Sequence, residues 1–150
     1  MRDVFIPRFA LALTLLGTMP FVGLSVGISL DKENTEGLLQ PLFIYGAVML
    51  SFLGGIHWGF AMTFSHAGQT DASLLLHGVS VLFVLVAWGV FFLQQPYLRL
   101  LAFAFFFAVA WGVDSLLYSH QMIPLWYFNL RGIVTPIVVV SMYVAYFSVI

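Results

Sequence analysis

Four ionisable side chains stand inside otherwise apolar stretches: His57, His77, Asp114 and Arg131. Asp114 and Arg131 carry opposite charges and can satisfy one another as an ion pair. His57 and His77 could ligate a haem iron or a metal ion, because imidazole suits Zn, Cu and Fe. Either could instead move a proton, since histidine changes charge near neutral pH. Trp58, Trp111, Tyr118 and Tyr127 lie within a few residues of these four and complete the set of binding or proton-relay candidates.

The elements that must position them follow from composition. The 150 residues are 62% hydrophobic and 7% charged, with a mean hydropathy of +1.05. A soluble domain carries about 25% charged residues, so this chain is too poor in charge to cover a water-facing surface. An integral membrane protein in contact with the lipid bilayer is expected. The absence of cysteine excludes disulfides, thiolate metal sites and cysteine nucleophiles. A formal net charge of −1 offers no basic patch for nucleic acid.

A spanning helix needs roughly 20 apolar residues. Five segments qualify: Phe9 to Leu30, Leu39 to Phe64, Ala72 to Leu93, Leu100 to Tyr118 and Leu125 to Ile150. The ten-residue alternation of barrel strands is missing. The expected architecture is all-α, a single transmembrane domain in which five helices form a compact bundle. Short loops such as "SHAGQTD" and "SHQMIP" make consecutive helices antiparallel neighbours. The first segment is longer than the apolar core of a signal peptide and no A-x-A-like site follows it, which favours a retained helix. Counting Arg2, Arg8 and Arg131 against Lys32 and Arg99 places the N-terminus in the cytoplasm and the C-terminus outside.

Helical spacing then brings the four ionisable residues to one level. Each lies about four to seven residues from the same end of the bundle, roughly 6–10 Å deep. Each also belongs to a polar row: Ser73, His77 and Ser80; Trp111, Asp114, Ser115 and Tyr118; Tyr127, Arg131 and Thr135. Such rows are expected to face the bundle interior. Thr14, Thr18, Ser25 and Ser29 add a polar side to the first helix. Pro136 leaves the Gly132 carbonyl without its helical partner, and Pro20 does the same to Leu16. Trp126 and Tyr127, just after Pro124, fit an interfacial aromatic belt.

The small residues have a packing reading. Ser51, Gly55 and Gly59, with Gly23 and Gly27, repeat every four positions and predict a close crossing of the first two helices. His57, about 200° around from Gly55 and Gly59, is then presented on the other side of its helix.

No G-x-S-x-G, H-E-x-x-H or phosphate-cradling loop occurs, and Asp114 has no second interior carboxylate. A non-enzymatic role is therefore expected. The leading reading is a polar layer that binds a small ligand or relays protons. An accessory or assembly factor of a larger membrane complex, with a membrane-protein partner or a second copy, is the alternative. A haem- or metal-binding redox protein using His57 and His77 is a third, weakened because each helix offers one histidine. The loop histidines His66 and His120 read as solvated.

The stretches "YGAVMLSFLGGIHWGF", Trp111 with Asp114, and "IPLWYFNLRGIVTP" resemble a domain-of-unknown-function family of bacterial and mitochondrial membrane proteins. That family includes the mitochondrial transmembrane protein 69. The resemblance implies a compact multi-pass bundle and no particular activity. The matching motif residues are Gly54, Gly55, His57, Trp58, Asp114 and Arg131, whereas His77 matches none. The missing Arg/Ser-rich transit segment makes a bacterial inner-membrane member the expectation.

Overall fold

A computed structural model describes residues 6–68 and 70–150. Among them five long helices follow one another: α1 (Arg8–Leu30), α2 (Thr35–His66), α3 (Thr70–Gly89), α4 (Pro96–Ser119) and α5 (Leu125–Val149). All five are long and apolar enough to cross a membrane. Arg2, counted above toward orientation, lies outside the described residues.

Several helix starts fall earlier than the apolar runs suggest. α2 begins in the polar turn at Thr35 rather than Leu39, and α4 at Pro96 rather than Leu100. Proline is pre-set for the first helical turn, where its missing N–H costs nothing. α3 stops short at Gly89, and Val90–Phe92 continue it as a 3-10 turn.

α1, α2, α4 and α5 close into a ring, because α2 packs on both α1 and α4 while α5 packs on the same two. α3 lies outside that ring, against α2. Consecutive helices were expected to be neighbours throughout. Among the described residues α3 and α4 share no substantial interface, and the 3-10 turn carries the chain between them. The interior is apolar, with Phe21, Leu50, Phe103, Phe107 and Met142 nearly inaccessible. The outer surface is apolar as well, including Leu16, Phe52, Leu82, Trp88, Phe105 and Phe147. A surface of this kind matches hydrocarbon and not water.

Polar groups away from the centre serve the helix ends. The Arg99 guanidinium donates from Nε to Leu93 O at 2.8 Å and from Nη2 to Phe91 O at 3.1 Å. It also lies over the Phe43 and Phe91 rings, 5.4 and 5.9 Å from their centroids. Lys32 Nζ donates to Ser148 O at 2.6 Å. Both cations thus occupy carbonyls that helix C-termini leave unpaired.

The α1–α2 contact rests on Tyr45. Its hydroxyl donates to Gly17 O at 2.8 Å, and its ring meets Phe21 edge-on. Tyr45→Phe keeps the ring and removes the donor. The expected loss is about 0.5–1.5 kcal/mol, read by denaturant titration of the bilayer-reconstituted protein.

The close approach of small residues is elsewhere than expected. A Cβ placed on Gly23, Gly55 or Gly59 finds no described atom of a neighbour within 4 Å. Ser51 is half-buried, and Gly27 is limited only by the Leu38 side chain at 3.1 Å. The tight position is Gly54, where a Cβ would sit 2.8 Å from the Ser80 carbonyl oxygen. The glycine that meets a neighbour's backbone therefore joins α2 to α3, while Gly27 of α1 keeps the expected contact with α2 through the Leu38 side chain. Gly54 lies three residues before His57, so the face that packs closely is the face that carries the histidine.

Candidate buried polar centre

The inner face of α2 runs Leu50, Leu53, Gly54, His57 and Ala61, all buried. On α4 the buried row is Phe103, Phe107, Ala110, Asp114 and Leu117. On α5 it includes Tyr127, Arg131, Val134, Thr135 and Val138. These three rows converge on His57, Asp114 and Arg131, of which the first two are 0% exposed and Arg131 is 6% exposed.

Asp114 links the other two. Arg131 Nε donates to its Oδ2 at 2.7 Å. His57 Nε2 lies 3.2 Å from its Oδ1. The second ring nitrogen of His57, Nδ1, lies 2.8 Å from the backbone oxygen of Leu53, one turn earlier in α2. The Phe83 ring of α3 flanks the imidazole, with centroids 5.6 Å apart. Asp114 stands about 8 Å, and Arg131 about 9 Å, from the nearer ends of their helices.

Apolar groups close the centre above and below. The main core lies toward one membrane face. A smaller cluster of Ala61, Leu76, Leu117, Ile123 and Tyr127 lies toward the loops that join α2 to α3 and α4 to α5. In such surroundings an unpaired charge is far more costly than in water, so each charge needs its partner.

The remaining candidates divide. Tyr127 is buried and meets Phe60 edge-on, so it belongs to the interior and not to an interfacial belt. His77 is half-buried and outside the contact network of the other three. Its Nδ1 lies 2.8 Å from its own helix at Ser73 O, and its ring stands edge-on to Trp58, centroids 4.5 Å apart. The expected layer of four thus becomes a linked centre of three, with His77 paired to Trp58 on the periphery. Among the described residues no three His, Cys, Asp or Glu side chains gather as a metal site. Trp111 and Tyr118 are likewise peripheral, 40% and 37% exposed. Both stack on Phe128, at 6.3 and 4.6 Å, along the outer seam of α4 and α5. His66 and His120 are exposed at the ends of α2 and α4.

Beside the centre, α1, α2, α4 and α5 enclose a cavity of about 100 Å³. Arg131, Tyr127 and Thr135 line it on α5, facing Thr14 and Thr18 on α1. Arg131 Nη2 and Thr135 Oγ1 are buried and find no hydrogen-bond partner among the described residues, and Tyr127 Oη is buried beside the Asp114 carboxylate. A buried polar group left so costs about 1–3 kcal/mol. Residues 127, 131 and 135 are spaced by four, which stacks these groups on one face of α5.

Five apolar spans around a buried, ion-linked centre define a polytopic helical membrane protein. The chain belongs to the family described as "Protein of unknown function (DUF3429)", whose model matches residues 6–147. It is similar to the "Transmembrane protein 69" of Mus musculus, 28% identical over 136 residues, covering 90% of this chain and 54% of that protein. The "Transmembrane protein 69" of Xenopus tropicalis is 29% identical over 139 residues, covering 91% and 53%. The chain therefore spans about half the length of the curated relatives it matches. No solved structure matches it.

Proposed function

We propose that the protein is a non-enzymatic membrane protein that holds and relays a proton at the His57–Asp114–Arg131 centre. One observation carries this reading. His57 has an oxygen within hydrogen-bond distance of each ring nitrogen, Leu53 O at 2.8 Å and Asp114 Oδ1 at 3.2 Å. A carbonyl only accepts, so Nδ1 must carry hydrogen. A neutral imidazole has one N–H, and its Nε2 lone pair would then face a carboxylate lone pair. Moving that hydrogen to Nε2 transfers the clash to Leu53. Both contacts are satisfied only when one more proton lies between Nε2 and Oδ1, on either atom. With Arg131 the centre then carries a formal charge of +1, and without the proton it is neutral.

Among the described residues no second carboxylate adjoins the centre, which supports a binding role over general acid–base catalysis. On orientation, Lys32 and Arg99 are occupied as helix-end caps on the far face. That supports placing the N-terminal face in the cytoplasm.

The test combines ¹⁵N NMR of labelled histidine with infrared spectroscopy of the bilayer-reconstituted protein at neutral pH. His57→Gln and Asp114→Asn assign the signals. The expected result is a hydrogen-bearing Nε2 on His57 or a protonated Asp114 carboxyl that disappears in Asp114→Asn. A bare Nε2 alongside an ionised Asp114 overturns the proposal.

A further inference from the structure

The cavity beside Arg131 has walls and donors that select a ligand. Phe21, Met49, Phe52, Ile56 and Phe107 make most of it apolar. Thr14 and Thr18 contribute little as donors, because their hydroxyls already donate to Ala10 O and Leu15 O, each at 2.7 Å. The free polar capacity belongs to α5: two N–H groups on Arg131 Nη2 and the hydroxyl of Thr135, while the Tyr127 hydroxyl lies beside the Asp114 carboxylate. Those three residues are each more than nine-tenths buried, and all line the same cavity. Arg131 Nε is engaged by Asp114, which leaves the two terminal nitrogens, the buried Nη2 among them, for something else.

A group that satisfies these donors must present acceptors. Its charge follows from the centre. Asp114 offsets Arg131, and the proton on the His57–Asp114 pair restores one positive charge. A single negative charge would bring the buried assembly to neutrality, which an interior poor in water favours. The rest of the ligand has to be apolar and small enough for about 100 Å³. Phe52, 59% exposed, forms the outer part of the wall, so the way in runs between helices from the lipid.

We infer that this cavity binds a short monocarboxylate with an apolar tail. Its carboxylate accepts from Arg131 Nη2 and Thr135, and its tail lies among the phenylalanines. The charge balance rests on the proton assigned under the proposed function. The cavity and its donors do not.

Butyrate is the probe, with butyramide as its neutral counterpart of the same shape. Binding is read by saturation-transfer NMR and calorimetry on the full chain in lipid nanodiscs. Butyrate is expected to bind saturably and at least tenfold more tightly than butyramide. Thr135→Val, close in shape and least disruptive to packing, is expected to weaken butyrate several-fold. Val134→Phe is expected to fill the cavity and abolish binding. Absent saturable binding, equal affinity for the two probes, or an unchanged affinity in Thr135→Val overturns the assignment. The two readings separate by pH and by infrared. Butyrate binding that does not vary with pH keeps the site and removes its proton. Loss of butyrate binding with the carboxyl or histidine signal intact removes the site and leaves the proton.

Discussion

Asp114→Ala lowers the stability of the bundle by about 3–5 kcal/mol, the range expected when one member of a buried charge pair is removed. The change leaves Arg131 without its 2.7 Å acceptor and His57 Nε2 without the oxygen at 3.2 Å. Arg131 cannot recover by extending to water, because its side chain is only 8% exposed and the apolar clusters close both directions. Asp114→Asn is milder, since the amide keeps an acceptor for the guanidinium. A double-mutant cycle of Asp114→Asn with Arg131→Gln should return a coupling of about 1 kcal/mol or more, measured by denaturant titration in bilayers. Additive losses would mean that the pair does not hold α4 to α5. Replacing all three members together is expected to be far less damaging than Asp114→Ala alone, because a buried polar network can be exchanged for apolar packing at little cost. A variant of that kind, His57→Phe with Asp114→Ala and Arg131→Met, should stay folded while losing the infrared and NMR proton signals. Stability and proton handling are then separated in one protein.

Gly54→Ala and Gly55→Ala should move stability in opposite directions. At Gly54 the added methyl would meet Ser80 O at 2.8 Å and Phe83 Cβ at 3.4 Å. The nearer atom is backbone and cannot rotate away, so α3 must shift from α2. Overpacking of this kind costs about 1–3 kcal/mol. At Gly55 no described neighbour lies within 4 Å. Alanine there gains helix propensity of up to about 1 kcal/mol. Thermal unfolding of the two variants side by side decides the matter, and equal effects would remove the close contact from the account. Gly54→Ala carries a second consequence. Phe83 stands beside the His57 ring, so a displaced α3 should also shift the histidine's NMR signals.

The spans were legible because apolar runs broken by short polar turns leave few other arrangements in a bilayer. The meeting of Asp114 with Arg131 was legible as matched depth on consecutive helices, which depends on spacing alone. Which side of each residue turns inward was not. On α4 the sequence offers Trp111, Ser115 and Tyr118 as companions of Asp114, yet Ala110 and Leu117 share its buried face. Tryptophan and tyrosine are stable at a lipid-facing seam, so their polarity does not fix the rotation. The glycines fail by one residue. Ser51, Gly55 and Gly59 keep the four-residue period, but the period says nothing of the partner, and a shift to Gly54 turns the contact by about 100°. The signal that could have found it is the three-residue step from Gly54 to His57, which puts both on one face. The Leu53 carbonyl beside His57 Nδ1 has no sequence signature, because every residue carries one.

The polar centre is not at mid-depth. Asp114 stands about 8 Å from the nearer end of α4, a helix long enough to cross a hydrocarbon layer about 30 Å thick. A proton reaching it from the nearer face would cross about a quarter of the electric field, worth about 0.6 kcal/mol per 100 mV. From the farther face the same proton would cross the other three quarters, worth about 1.7 kcal/mol per 100 mV. On the proposed proton-holding reading, such a placement would make occupancy of the centre a function of membrane voltage, with a different steepness from each side.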